Sequence, residues 1–200
     1  MKKAGHAIIP LIFILLGFLI YSNVLYGPFI FDDGLFIRDN YQIRNLSIFT
    51  DFSGTRYIGF LTFALNYYFG GLNTFGYHLV NIIIHIINAI LVYFLVWFTL
   101  DRIKPKNPLL IAYSDYLPFV VSLIFLVHPI QTQAVSYITQ RFESLVTLFF
   151  LLSLVLYIKA RLSIRDSRLK SRESIGSGLL SCHLVISHFV MVWTCGHGKI

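Results

Sequence analysis

Charged residues are scarce in this chain, and their scarcity excludes most classes of soluble protein. Only 12% of the 200 positions are Asp, Glu, Lys or Arg, whereas globular chains carry about 25%. Five long stretches hold no charged residue: 4–31, 57–100, 116–140, 144–158 and 174–198. A helix that spans a bilayer needs about 20 mostly apolar residues. The sequence therefore predicts an all-α, polytopic transmembrane helical bundle, and it excludes a soluble enzyme and a disordered chain.

Cysteine is nearly absent as well, which excludes a scaffold held together by disulfides. The two cysteines, Cys182 and Cys195, both lie in the last 20 residues, so nothing before them can form a disulfide. Histidines accompany them in this tail, but the spacing fits no standard zinc pattern. We therefore do not expect a metal site in the tail.

The net charge of +7 reflects where the basic residues lie along the chain. They cluster at residues 2–3, 102–106 and 159–172, which are alternate loops between the apolar stretches. Lys and Arg accumulate on the cytoplasmic side of membrane proteins. This pattern predicts a cytoplasmic N-terminus and an external loop at residues 27–76. Because the charge is not gathered on one soluble face, we expect the lipid bilayer and not nucleic acid as a partner.

The apolar stretches predict four spans and a weak fifth. The predicted spans are residues 7–26, 77–100, 110–128 and 144–158. Within the external loop, residues 56–69 carry a polar stripe at helical spacing, which is typical of a helix lying in the membrane interface. We expect residues 1–173 to form one membrane domain. Residues 174–200 are an atypical Gly-, His- and Cys-rich tail that contains the weak fifth span.

Two adjacent carboxylates, Asp32 and Asp33, follow the first predicted span. Side chains of adjacent residues diverge, so one carboxylate can act as a general base while the other orients a substrate or holds a divalent metal. The alternative interpretation is a solvated acidic turn that caps the next helix. The dipeptide alone does not separate the two interpretations, and no cofactor is certain.

The outer half of the second predicted span carries a polar stripe formed by His78, Asn81, His85 and Asn88. Steps of three, four and three residues place all four on one helical face. Polar groups at membrane depth face the bundle interior or a wet cavity. Two compatible interpretations follow, namely a water-accessible external cavity and hydrogen bonding between helices.

A third group of candidates lies near the outer ends of the third and fourth spans. His128 and Arg141 suit an anionic lipid headgroup, because a guanidinium pairs bidentately with phosphate. The alternative is that Arg141 and Glu143 pair with each other or cap the fourth helix. The residues alone leave both interpretations open.

Several short motifs together resemble those of GT-C superfamily membrane glycosyltransferases. The motifs occupy residues 31–33 (FDD), 61–67 (LTFALNY), 71–81 (GLNTFGYHLVN), 128–135 (HPIQTQAV) and 140–145 (QRFESL). The similarity covers about residues 10–162 and points to bacterial relatives of the transmembrane and TPR-repeat O-mannosyltransferases. It implies a bacterial inner (plasma) membrane, with the loop at residues 27–76 in the periplasm.

The resemblance also implies an activity. Members of the family transfer a sugar from a polyprenyl- or dolichyl-phosphate carrier to an acceptor hydroxyl, on a protein or a glycan, at the external face. By this resemblance Asp32 and Asp33 serve as base or metal contact. Arg141, His128 and Arg56 contact the lipid phosphate, with Glu143 in the same substrate-binding group. Arg56 departs from the family pattern, because Tyr57 follows it where the family often has proline.

The chain is much shorter than the family it resembles, which has about ten or more spans and a TPR region. We therefore expect a truncated or frame-shifted product that is inactive alone. The competing interpretation is a non-enzymatic membrane subunit that binds a lipid or a partner protein through the polar stripe of the second span. A transporter or channel is disfavoured because no Asp, Glu, Lys or Arg lies inside any predicted span when the third span is counted from Tyr116.

Overall fold

The computed structural model describes residues 3–50, 54–103 and 108–170, and every regular element in these ranges is helical. The α-helices are α1 (Lys3–Tyr21), α2 (Tyr57–Gly70), α3 (Thr74–Ile103), α4 (Pro108–Tyr113), α5 (Leu117–Val127), α6 (Gln131–Ser136) and α7 (Arg141–Lys170). Short 3-10 turns occupy Ser22–Val24, Tyr41–Arg44, Leu46–Thr50 and Ile138–Gln140, and a π-helical turn occupies Gly34–Arg38. The predicted all-α class is confirmed.

Two of the described helices are long and apolar enough to cross a bilayer. Their apolar stretches, Thr74–Asp101 and Ile138–Ile164, contain 28 and 27 residues. At 1.5 Å per residue each stretch is about 40 Å long, against a hydrocarbon core of about 30 Å. The first and third predicted spans correspond to shorter apolar helices, Ile8–Val24 and Leu117–Val127.

The central helix of the bundle is α3, which packs against α1, α5 and α7. Its buried residues Ile82, Ile86 and Ala89 form a core with Phe13 of α1 and Leu126 of α5. The approach of α1 is close. A Cβ atom added at Gly17 would lie 2.5 Å from Ile86 Cγ1, which is the small-residue contact typical of packed membrane helices.

The loop between α1 and α2 folds back onto the N-terminal end of α7. Ile37 and Ile43 of the loop, Phe63 of α2, and Ile138 and Phe142 beside the start of α7 form a second buried cluster. This cluster holds α2 across the N-terminal end of α7 and beside Tyr77 of α3. It thereby brings the loop that carries the acidic pair against the turn that precedes α7.

Two of the predicted spans differ from the observed helices. The stretch 110–128 is divided by a turn at residues 114–116 between α4 and α5, where Pro118 occupies the start of α5, a position that suits proline. Helix α7 begins at Arg141, three residues before the predicted start, and continues to Lys170. The tail at 174–200, with its weak fifth span, lies outside the described residues. The domain boundaries therefore stay predictions.

Candidate functional site

The loop between α1 and α2 meets the turn before α7 through the carboxylate of Asp33. This side chain is buried. It accepts a hydrogen bond from the backbone N–H of Thr139 at 2.8 Å and another from the Thr139 hydroxyl. Its second oxygen accepts the backbone N–H of Ile30 at 3.2 Å. Hydrogen bonds to an ionised acceptor are stronger than neutral ones, so Asp33 anchors the loop to the α7 side of the bundle.

The neighbouring carboxylate is placed differently, because the side chain of Asp32 is exposed. The backbone N–H of Asp32 donates to the phenol oxygen of Tyr137 at 3.0 Å, and this bond fixes the backbone while leaving the carboxylate outside. Asp33 is therefore buried and anchored by hydrogen bonds, whereas Asp32 is accessible.

Phe31 precedes the pair in an uncommon conformation. Its φ is +47°, in the left-handed region that non-glycine residues rarely adopt, and its side chain is 88% exposed. The ring lies 6.0 Å from the ring of Tyr137 with an interplanar angle of 80°. The two rings thus form a perpendicular corner beside Asp32.

Tyr137 keeps its proton in this environment. Desolvation is the largest cause that raises the pKa of its phenol, and the carboxylates of Asp32 and Asp33 raise that pKa further. Since an unperturbed tyrosine already titrates near 10, the phenol remains neutral at physiological pH. It is therefore able to donate a hydrogen bond as well as to accept one.

Arg141 is fully buried, two residues after the Thr139 anchor. Its Nε donates to Asn81 Oδ1 at 2.8 Å and one terminal nitrogen donates to the Tyr77 carbonyl at 2.8 Å. The other terminal nitrogen donates to Asn66 Oδ1 at 2.7 Å and Thr62 Oγ1 at 3.2 Å. All these acceptors are neutral.

Aromatic rings complete the surroundings of this guanidinium. Its carbon atom lies 4.5 Å from the ring centroid of Phe63 and 5.9 Å from that of Tyr77, within the range of cation–π attraction. The polar stripe of α2, interpreted from the sequence as part of an interfacial helix, thus supplies Thr62 and Asn66 as hydrogen-bond acceptors for Arg141. One side chain thereby ties α2, α3 and α7 together.

The other members of the substrate-binding group predicted from the sequence are exposed: Arg56, His128 and Glu143. The guanidinium of Arg56 lies 5.1 Å from the ring centroid of Phe142. The Nδ1 of His128 accepts the backbone N–H of Ile130 at 3.2 Å, closing the turn after α5. These three therefore face outward, whereas Arg141, grouped with them from the sequence, faces the bundle interior.

All four residues of the polar stripe on α3 are buried. Asn81, besides holding Arg141, donates to the carbonyls of Tyr137 and Ile138 at 3.3 Å each. Asn88 donates to the Ser144 carbonyl at 3.1 Å. These contacts correspond to the interhelical hydrogen bonding that the sequence left as one of two interpretations.

The two histidines of the stripe also bind carbonyl groups. Nε2 of His78 lies 3.2 Å from the Gly27 carbonyl, and Nε2 of His85 lies 3.1 Å from the Leu126 carbonyl. A carbonyl only accepts, so in both rings Nε2 carries the proton. The Leu126 carbonyl also accepts the Tyr21 hydroxyl at 3.0 Å, which joins α1, α3 and α5. The Nδ1 of His78 has no hydrogen-bond partner among the described residues.

A shared divalent-metal site on the acidic pair does not fit this geometry. Both oxygens of Asp33 receive hydrogens from N–H and O–H donors, while Asp32 lies on the exposed side. Within residues 3–50, 54–103 and 108–170, no group of three His, Cys, Asp or Glu side chains could hold a metal ion.

Sequence reasoning missed Tyr137 and Thr139, which contact the acidic pair. Both lie in the short interval between the motif stretches 128–135 and 140–145. That position is the only signal that the sequence offers for them. Their contacts with the loop span 105 and 106 residues, and no local pattern reports a contact of that range.

The fold and the site define a helical, membrane-type protein whose loop between α1 and α2 presents one exposed carboxylate beside two aromatic rings. Comparison with known proteins agrees with this class. The chain is 36% identical over 169 residues to protein O-mannosyl-transferase F38B6.6 of Caenorhabditis elegans. It is 33% identical over 160 residues to protein O-mannosyl-transferase TMTC2 of Homo sapiens, and 36% over 157 residues to human TMTC1.

These three alignments cover 76%, 72% and 70% of this chain, but only 23%, 18% and 16% of the relatives. The chain therefore spans about a fifth of their length. These relatives are named protein O-mannosyl-transferases, and the two long apolar helices of this chain indicate a membrane association. They are animal proteins, so they lend no support to the bacterial source expected from the sequence. No family model matches the chain, and no solved structure matches it.

Proposed function

We propose that this chain forms the donor-facing part of a membrane glycosyltransferase that moves a mannosyl group from a polyprenyl-phosphate carrier to a hydroxyl of a protein. The sugar and the acceptor class are those given in the relatives' names. The distribution of Lys and Arg supports placing the loop at 27–76 on the external face. The reaction would take place at that face.

The main observation behind the proposal is that Asp33 is buried and anchored, whereas Asp32 is exposed. An exposed carboxylate held by an anchored neighbour is a positioned proton acceptor, since Asp33 fixes the loop and Asp32 stays exposed beside Tyr137. Positioning of this kind is what general-base catalysis requires, and it contributes typically about 10²–10⁴-fold to a rate. We assign the base to Asp32 and the positioning role to Asp33.

The proposed transfer reaction accounts for the proton of the acceptor hydroxyl and for the leaving group. The acceptor hydroxyl oxygen attacks C1 of the sugar while its proton passes to the Asp32 carboxylate. The bond between C1 and the phosphate oxygen breaks, and the lipid phosphate leaves with the electron pair. The neutral phenol of Tyr137 can donate a hydrogen bond to an oxygen that gains negative charge in this step.

An anionic donor also needs cationic or N–H contacts for its phosphate. Of the residues predicted for that role, Arg56 and His128 are exposed, and we propose them as the contacts, with Glu143 on the same outward-facing side. Arg141 is enclosed by neutral oxygens. We therefore propose that it acts by holding α2 in place, and not by touching the phosphate.

The experiment is sugar transfer by a chimera in which this chain replaces the matched segment of the Caenorhabditis elegans relative. We expect Asp32→Asn to lower transfer from a mannosyl polyprenyl phosphate by about 100-fold or more. Asp39→Asn is the matched control, because Asp39 is an exposed acid of the same loop that pairs with Arg38. An Asp32→Asn chimera that transfers the sugar as fast as the unsubstituted chimera would overturn the assignment.

A further inference from the structure

Phe31 combines two features that a merely structural residue does not need. Its backbone occupies the left-handed region, with φ +47°, which is energetically unfavourable for a residue with a side chain. Its ring is 88% exposed, so burial does not offset that cost. Strain that persists without packing is concentrated at functional sites.

The surrounding contacts show how the strained backbone is held. The Phe31 carbonyl accepts the N–H of Gly34 at 3.3 Å, and the Asp33 N–H donates to the Ile30 carbonyl at 3.0 Å. The buried Asp33 carboxylate and the bond from Asp32 to Tyr137 fix the following residues. The fold thus determines where the ring projects while leaving the ring itself uncovered.

The corner that this ring forms with Tyr137 is amphipathic. Two perpendicular aromatic rings, 6.0 Å apart, lie beside one exposed carboxylate. The face of an aromatic ring carries negative charge density, which attracts C–H groups with a partial positive charge. A hexose offers such C–H groups on its ring and hydroxyl donors at its edge, whereas a prenyl chain would leave the carboxylate without a polar partner.

We propose that Phe31 contacts the sugar of the donor, with its ring against the C–H face of the hexose while Asp32 accepts a hydrogen bond from a sugar hydroxyl. This assignment rests on the proposed function and adds to it the group that distinguishes a sugar-bearing lipid from the bare carrier. Phe31 is then a specificity residue for the donor.

The test compares two ligands on the full 200-residue chain in lipid nanodiscs: mannosyl polyprenyl phosphate and the same polyprenyl phosphate without the sugar. We expect the wild-type chain to prefer the sugar-bearing lipid. Phe31→Ala should weaken binding of that lipid about 3- to 10-fold, the range of an aromatic contact of about 0.5–1.5 kcal/mol. Binding of the bare lipid should not change, and Phe31→Tyr should retain the preference.

Two further variants test whether the change in binding comes from the Phe31 ring itself, from its strained backbone, or from the loss of any exposed aromatic ring. Phe31→Gly removes the ring and also relieves the strained φ, so it should match Phe31→Ala if the ring is what binds. Tyr26→Ala removes a ring that is 80% exposed and packs on Phe75, and it should leave the preference intact.

Each alternative outcome identifies which claim fails. Equal loss of both lipids in Phe31→Ala would make Phe31 an interfacial anchor and overturn the inference. A wild-type preference that survives in Phe31→Ala, or that is restored by Phe31→Gly, would overturn the inference and leave the proposed function standing. A wild-type chain that binds neither lipid would overturn the proposed function together with the inference.

Discussion

The carboxylate of Asp33 receives both the backbone N–H and the hydroxyl of Thr139, a residue 106 positions later in the chain. This pair of hydrogen bonds joins the loop between α1 and α2 to the turn that precedes α7. Because the neighbouring Asp32 cannot point in the same direction, the same contact turns its carboxylate outward. The long-range contact between Asp33 and Thr139 thus buries one of the two adjacent aspartates and leaves the other exposed.

The two acids should differ in their effect on stability. Asp33→Asn replaces a buried acceptor of N–H and O–H groups with an amide and should lower the free energy of unfolding by about 1–3 kcal/mol. Asp32→Asn changes an exposed side chain and should stay within about 0.5 kcal/mol of the wild type. Unfolding in mixed micelles, followed by circular dichroism, measures both. Equal losses of unfolding free energy in the two variants would show that Asp33 is no more strongly anchored than Asp32.

Thr139 should be energetically coupled to Asp33. Thr139→Val removes the hydroxyl donor but keeps the backbone N–H, so it should cost about 0.5–1.5 kcal/mol. A double-mutant cycle with Asp33→Asn should give a coupling of about 0.5 kcal/mol or more, a typical value for residues in contact. Thr139→Ser keeps the hydroxyl and is the matched control. Additive losses in the cycle would contradict the direct contact.

Arg141 should be the most sensitive charged residue of the described part of the chain. Arg141→Met leaves Asn81 Oδ1, Asn66 Oδ1 and the Tyr77 carbonyl without their donor, and each such loss costs about 1–3 kcal/mol. We expect a loss of folded protein in detergent extracts. Arg141→Lys should rescue it poorly, because an ammonium cannot reproduce the guanidinium fork.

The control for Arg141 is Arg56→Met, which removes an exposed guanidinium that lies over Phe142. It should leave the yield of folded protein close to that of the wild type. Comparable losses in the two arginine variants would show that the neutral hydrogen-bond acceptors around Arg141 contribute no more to the yield of folded protein than a surface contact does.

Gly59 should resist substitution because α2 lies directly against α7 there. A Cβ at Gly59 would be 2.3 Å from Phe142 Cδ1, so Gly59→Ala should cost about 1–3 kcal/mol by overpacking. Gly70, at the other end of the same helix, has no heavy atom within 4 Å of such a Cβ. Gly70→Ala should therefore be nearly neutral when unfolding in mixed micelles is followed by circular dichroism. A neutral Gly59→Ala would place α2 farther from α7.

Local features of the fold were predictable from the sequence. The helix predicted at 56–69 is observed at Tyr57–Gly70, where Gly70-Gly71 ends it, because amphipathic spacing and helix breakers act over a few residues. The span predicted at 77–100 lies within the observed Thr74–Ile103. Absence of charge located these helices correctly.

The same signal failed at Arg141, where a span was predicted to begin only after the charged residues. A guanidinium enclosed by neutral oxygens and aromatic rings lies inside the bundle, so the helix begins earlier than the charge pattern indicates. The roles of Asp32 and Asp33 were not predictable either. They depend on Thr139 and Tyr137, and no periodicity connects residues that lie 105 and 106 positions apart.

The assignment of the base to Asp32 is decided by the rate of mannosyl transfer at saturating donor, measured for the chimera carrying Asp32→Asn and for the one carrying Asp39→Asn. If Asp32 is the base, its variant should fold as the wild type does while its kcat at saturating donor falls by about 100-fold or more. The Asp39→Asn chimera should be unaffected. A folded Asp32→Asn chimera with an unchanged kcat would show that Asp32 is not the base.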